Sequence, residues 1–403
     1  MTQAATNESK APGDISNAFV SLSGTLKDAE PLDDRYHLLK ERILSSSSNE
    51  SQSQTAERWH HNWTTLLSAI SAKAPVIQQS GPSYIPTISF TDIQDAAYDW
   101  HTDPGLSQSS QRSLLDRLSK FHAQYCERGV AVIKGVIEAA EIADMKKELR
   151  EYIDANRDRV NGFPKDDMQV FEIYWSSTQI RARAHPRMRL AQQFLLSFWH
   201  GGADETLIDG LPSVAALPML YVDRLRMRQP GDAAFALGPH VDGGSVERWE
   251  EGGYGLGNDG RGTFREIWEG DWRNHDPWYY PGRLKVESDI YKGVGACSVF
   301  RAAQGWLSLS EIAPGEGHLL VNPLLKEALT YWLMRPFFEN KDEGWKLEKD
   351  ISSKVHGASP GFGQEINEVL HPHLMLDKTM IHMPTVEPGD FVVWHADSKL
   401  FRA

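Results

Sequence analysis

The sequence predicts an α+β fold in which a mostly helical N-terminal half precedes, from about Leu220, an antiparallel barrel or jelly roll. Two observations predict it. In the first half apolar residues recur mainly at helical spacing, broken by occasional strand-like runs, whereas beyond Leu220 short apolar runs alternate with Gly and Pro. A third observation, composition, marks the 403 residues as an ordinary globular chain: 40% hydrophobic and 24% charged, enough for a large core in one big domain or two.

Residues 1–31 are polar and without periodicity, a mobile lead-in, and 32–403 read as a single domain with no clear linker and no repeat. Leu32, Tyr36, Leu39 and Ile43 predict a short amphipathic helix, and Trp59, Trp63, Leu66, Leu67 and Ile70 a second one after the Ser/Asn/Gln run ending at Gln54. Pro75 to Pro104 reads as a wrapped connection held by Ile85, Ile88 and Phe90. Helices follow over Leu114–Tyr125, Ile142–Tyr152 and Leu190–Phe198, with strands at Val130–Lys134 and Val170–Trp175. In the second half strands are expected at Leu220–Met227, Ala234–His240, Cys297–Leu309, His318–Val321 and Asp390–His395, with a helix around Leu324–Trp332.

The net charge of -13 disfavours a nucleic-acid backbone or an anionic membrane as partner. Cys126 and Cys297 form no thiolate metal spacing and no disulfide framework, so a reducing compartment is expected. No apolar run reaches membrane-spanning length and the N-terminus shows no targeting pattern, so the expected location is the cytoplasm.

The chemistry centres on the run from Leu237 to Trp249, which places His240 and Asp242 two apart in an extended, Gly-bounded segment. Alternation along a strand turns both side chains the same way. A neutral imidazole and a carboxylate on one face are two of the three ligands of a 2-His-1-carboxylate site. A turn in which Asp242 bonds its own backbone explains the same residues more simply. Arg224, Arg226 and Arg228 alternate on a strand shortly before, and either clamp a carboxylate co-substrate or face water, the more ordinary case. His60–His61, His371, His373 and His382 have no geometry that fixes a metal, and the Gly255–Gly260 match to a dinucleotide fingerprint lacks its strand and helix. Ser245 and Ser298 lack a nucleophile context.

Longer runs carry a resemblance: Gly162–Pro164, Val170–Ser176, Asp223–Asp232, Gly238–Trp249, Cys297–Arg301, Gln304–Ser310 and Leu333–Phe338. Over roughly Leu32 to Asp397 the chain resembles the domain-of-unknown-function 1479 family, itself similar to the non-haem Fe(II), 2-oxoglutarate-dependent dioxygenases. The resemblance implies a double-stranded β-helix, cupin-like core over about 220–403, with Fe(II) as metal and 2-oxoglutarate as co-substrate. It implies an oxygenase acting on an unidentified small organic substrate. His240 and Asp242 would be the catalytic iron ligands, and Arg224, Arg226 and Arg301 the co-substrate contacts. The family pattern places a distal ligand His five residues after His395, where this sequence has Leu400. The chain also stops at Ala403, before a basic co-substrate anchor and a closing strand, and reads as truncated. The expectation is therefore an impaired enzyme, with His395 as a makeshift third ligand. The competing expectation is a metal-free binding or regulatory protein on the same scaffold, and a metal-binding cupin-like isomerase is a third.

Overall fold

The computed structural model describes residues 31–45, 50–97, 108–165, 167–204, 207–208, 211–220, 224–228, 238–241, 245–254, 262–293, 299–317, 319–341, 344–361 and 363–402. It is a mixed α+β structure. The helices are α1 (Arg35–Leu44), α2 (Gln52–Ser80), α3 (Phe90–Ala97), α4 (Gln108–Arg128), α5 (Ala139–Ala155), α6 (Ser177–Ala184), α7 (Pro186–Leu196), α8 (Ser213–Ala216), α9 (Arg265–Trp268), α10 (Leu325–Met334) and α11 (Leu376–Thr379). The first strands are β1 (Thr87–Ser89), β2 (Val130–Lys134), β3 (Gly162–Phe163), β4 (Val170–Phe171), β5 (Leu207–Ile208), β6 (Leu211–Pro212), β7 (Leu225–Arg226) and β8 (His240–Val241). Then come β9 (Ala303–Leu307), β10 (Leu319–Asn322), β11 (Phe338–Lys341), β12 (Gly344–Leu347), β13 (Gln364–Glu365), β14 (Ile381–His382), β15 (Phe391–His395) and β16 (Lys399–Arg402).

Two sheets organise the second half. One runs β1-β2-β15-β9 and the other β13-β8-β16-β10-β14; three smaller sheets lie apart. The expected closed barrel is absent among the described residues, where several strands are only two residues long. Of the run expected as a strand over Leu220–Met227, the described residues form a strand at Leu225–Arg226, in a separate sheet with β4.

The helical half is joined to the sheets through β2. Its run Val130-Ala-Val-Ile is apolar on both faces because both are covered. Val130 and Val132 belong to one buried cluster, with Val241 and Val321 of the second sheet; Ala131 and Ile133 belong to another, with Phe121, Met145 and Trp199. Helix α2 supplies the largest insert into the first cluster. Ser51 caps it through a capping box with Gln54, and Trp59, Trp63, Leu66, Ile70, Ala74 and Ile77 line its buried face. Trp63 stacks on Phe338 with ring centroids 4.2 Å apart. This face corrects the expected connection at Pro75: the helix continues through that proline to Ser80. Losing one backbone bond costs about 3 kcal/mol, and the apolar burial flanking Pro75, worth roughly 1.5–3 kcal/mol per large side chain, outweighs it.

The turn Glu387-Pro388-Gly389-Asp390 fastens β15 to the end of β2. The Gly389 carbonyl accepts from the N–H groups of Val136 and Ile137 at 2.9 and 3.2 Å. Asp390 accepts from Lys134 Nζ at 2.6 Å and from the Gly135 N–H at 2.8 Å. Gly389 has φ +95°, and a Cβ there would lie 1.9 Å from the Ile137 carbonyl oxygen. We therefore expect Gly389→Ala to destabilise the fold by more than about 1 kcal/mol, read as a lowered urea midpoint with unchanged slope.

Candidate metal centre

His240 begins β8 and is half-buried. Its Nδ1 lies 2.7 Å from the Gly238 carbonyl oxygen. A carbonyl only accepts, so Nδ1 carries a proton, and in a neutral ring the lone pair would then sit on Nε2. That is the form in which histidine binds a metal, with its other nitrogen held by a carbonyl. Two strands flank it. β16 is antiparallel to β8 and places position 400 directly opposite His240; β13 places Glu365 opposite it on the other side. Asp242 lies outside the described residues. The residue at position 400, leucine, brings no donor atom.

His395 occupies the other sheet, as the last residue of β15. It is fully buried, stacked on Trp199 with centroids 4.7 Å apart. Its Nε2 donates to the Pro277 carbonyl at 3.1 Å, and its Nδ1 accepts from the Asp397 N–H at 3.0 Å. Both ring nitrogens are thus engaged, and it is position 400, not His395, that the strand register brings beside His240.

Asp397, in the turn between β15 and β16, is the buried charge that sequence reasoning missed. Arg248 Nη2 donates to its Oδ1 at 3.1 Å and Arg283 Nη2 to its Oδ2 at 2.6 Å. All three side chains are at most 2% exposed. Burial alone would raise the acid's pKa, but Arg283 and then Arg248 hold it well below the usual carboxylate range. Each guanidinium also lies over rings, Arg248 over Trp332 and Tyr254, Arg283 over Trp199 and Phe264. The signal was present in the sequence as the arginine of Val246-Glu-Arg-Trp249 and the aspartate of Trp394-His-Ala-Asp397, but nothing local pairs them.

The arginines do not converge in one sheet. Arg226 lies on β7, exposed and opposite Val170. Arg224 and Arg301 are half-buried and outside any strand. Arg228 Nη1 donates to the Gly317 carbonyl at 3.3 Å. His60 and His61 are exposed on α2, while His371 is buried and accepts from the Asn367 N–H. Among the described residues no three His, Cys, Asp or Glu side chains are grouped so as to hold a metal ion.

Three buried or partly buried imidazoles are held neutral, chiefly by burial. His395 is lowered to about 3, His373 to about 4 and His356 to about 2. An unfolded imidazole takes up a proton near pH 6.5 while these stay neutral, so the unfolded state binds more protons and stability falls on acidification. For His395 the window is about pH 6.5 down to 3, and within it each such group contributes up to about 1.4 kcal/mol per pH unit. Urea unfolding between pH 6.5 and 4 should show this loss, and His395→Gln should flatten the slope by up to one proton.

Comparison with known proteins agrees with this architecture. The chain is 31% identical over 336 residues to the uncharacterized Escherichia coli K12 protein YbiU, covering 81% of this chain and 70% of that one. Among solved structures it is similar to GlcNAc Inducible Gene 2, GIG2 (DUF1479), from Candida albicans, with a TM-score of 0.74, 30% identity, and coverage of 93% of this chain and 74% of that one. A Salmonella typhimurium LT2 protein provisionally named an oxidoreductase matches with a TM-score of 0.69 and 27% identity, covering 94% and 82% of the two chains. The Gig2-like family model matches residues 30–400, and the chain belongs to that family.

Proposed function

We propose that the chain is built to be an Fe(II)- and 2-oxoglutarate-dependent oxygenase of a small organic substrate, with His240 and Asp242 as metal ligands on a double-stranded β-helix. The observation that carries the reading is the His240 tautomer together with its register: the ring offers Nε2 and faces position 400 across the strand pair. Strand order supports the fold. The chain passes from β9 in one sheet to β10 in the other, then from β14 to β15 and across again to β16, the crossing pattern of a jelly roll. The Salmonella relative's provisional assignment as an oxidoreductase points the same way.

Bound Fe(II) would supply the redox centre and orient 2-oxoglutarate and O2. The chain's own residues do the rest. The Gly238 carbonyl fixes the plane and tautomer of the His240 ring, so that Nε2 is presented without a competing proton. The Asp397 clamp ties Arg248, shortly after the His240 segment, to the turn that leads into β16. Arg224, Arg226 and Arg301 are the candidate anion contacts for 2-oxoglutarate.

A metal-free binding protein is the second reading, and one observation favours it: leucine stands at the position opposite His240. Anaerobic titration with Fe(II) and 2-oxoglutarate separates the two, since a weak visible charge-transfer band is expected from the oxygenase and none from the binding protein. His240→Ala should abolish Fe(II) binding. Leu400→His should tighten it by about tenfold or more, since a facial site gains a donor. Unchanged affinity in both variants would exclude this face of the sheet.

A further inference from the structure

We propose that the chain has a second ligand site, apart from His240: a cleft of about 730 Å³ in which Arg273 and Lys326 take the carboxylate or phosphate group of a small metabolite. The cleft lies between α2, α4, α10 and the segment 272–278. Among the described residues, none of those considered for the metal centre lines it, so the inference does not rest on the metal reading.

Positive charge in the cleft is unevenly compensated. Lys73 sits between two carboxylates, Glu127 at 2.8 Å and Glu327 at 2.7 Å, so its end of the cleft carries its own counter-charge. The other two cations have neutral partners. Lys326 Nζ donates to the Arg273 carbonyl at 2.8 Å, and Arg273 Nη1 donates to the Thr65 hydroxyl at 3.4 Å. Among the described residues neither forms an ion pair with a carboxylate. An oxyanion between them relieves their mutual repulsion and gains charge-assisted hydrogen bonds from both. The Arg273 guanidinium lies over the Trp272 ring, 4.7 Å from its centroid, a stacking that leaves the N–H groups at the rim of its plane to grip two oxygens at once.

The wall behind these cations is built in advance. The Trp278 N–H donates to Asp276 Oδ1 at 2.9 Å and its Nε1 donates to the Cys126 carbonyl at 3.0 Å. Asp276 Oδ2 lies 2.7 Å from His200 Nε2. The Pro277 carbonyl accepts from His395 at 3.1 Å and from Arg283 at 3.3 Å. A segment fastened at so many points loses little freedom when a ligand arrives, and such preorganisation separates a site from two solvated cations on an open surface.

The test titrates the full, metal-stripped chain with succinate and, separately, with inorganic phosphate at constant ionic strength, by isothermal calorimetry, with circular dichroism as the check on folding. We expect saturable one-to-one binding of at least one of the two ions. Binding of succinate alone assigns the cleft to a carboxylate, of phosphate alone to a phosphate ester, and of both to the oxyanion they share. Arg273→Gln and Lys326→Gln should each weaken binding by about tenfold or more, the loss of a hydrogen bond to a charged group. Arg273→Lys keeps the charge and loses the planar fork, so it should also weaken binding, and it decides the matter where the Gln variant folds poorly. Arg226→Gln, outside the cleft, should leave the affinity unchanged. No saturable binding of either ion, or affinity equal to that of the unaltered chain in the Arg273 and Lys326 variants, would overturn the proposal. Loss in Arg226→Gln alone would assign the anion to the candidate co-substrate contacts and overturn it equally.

Discussion

Asp397 holds together the parts of the molecule that matter most for its site. Two guanidiniums share one carboxylate in an interior closed to water, one on each oxygen. Such a group is tolerable only because its oxygens are engaged, since uncompensated burial of an ion costs several kcal/mol. Removing the carboxylate would leave two buried cations and cost on the order of 3–5 kcal/mol. The aromatic rings under Arg248 and Arg283 offset part of the desolvation. The clamp thus fixes three distant segments at one point: the stretch after His240, the loop before Leu284, and the turn between the two main sheets.

That turn explains how a chain with such short strands maintains a defined register. β15 is held at its start by Gly389 and Asp390 against the end of β2. At its end, the His395 N–H donates to the Gly129 carbonyl at 2.7 Å and the side chain packs between Trp199 and Trp278. β16 therefore leaves from a fixed origin, and its pairing with β8 and β10 follows. A slip by one residue would turn every side chain to the other face, so the rigid origin stands in for the strand length that ordinarily sets register.

Much of this was legible in the sequence where the signal is local. The amphipathic repeat of α2, the doubly apolar run of β2 and the Gly-Asp turn before β15 each announce themselves within a few residues. The rest depends on partners far apart in the chain. Helix α2 passes through Pro75 because its buried face holds it on both sides, Ile70 and Ala74 before the proline and Ile77 after it, which no local rule about proline anticipates. The Asp397 clamp joins residues of three segments, and neither arginine differs in sequence from a surface one. His240 was legible as a candidate ligand, but its tautomer depends on the Gly238 carbonyl and its neighbours on strand pairing. His395 read as a makeshift ligand because it sits in a family motif; its ring is buried and bonded at both nitrogens, which only the fold reveals. Asp242 lies outside the described residues, and as a candidate ligand it rests on its spacing from His240 and on the family resemblance.

The frame around His240 is independent of the side chains that flank it. The carbonyl that sets the His240 tautomer, the clamp on Asp397 and the pairing of β8 with its neighbours are backbone and buried-charge features. They do not depend on which side chain stands at position 400. A leucine there leaves the frame in place, so the side chain that stands opposite His240 and the stability of the fold are set by different residues. The frame also offers the histidine neighbours on two strands rather than one.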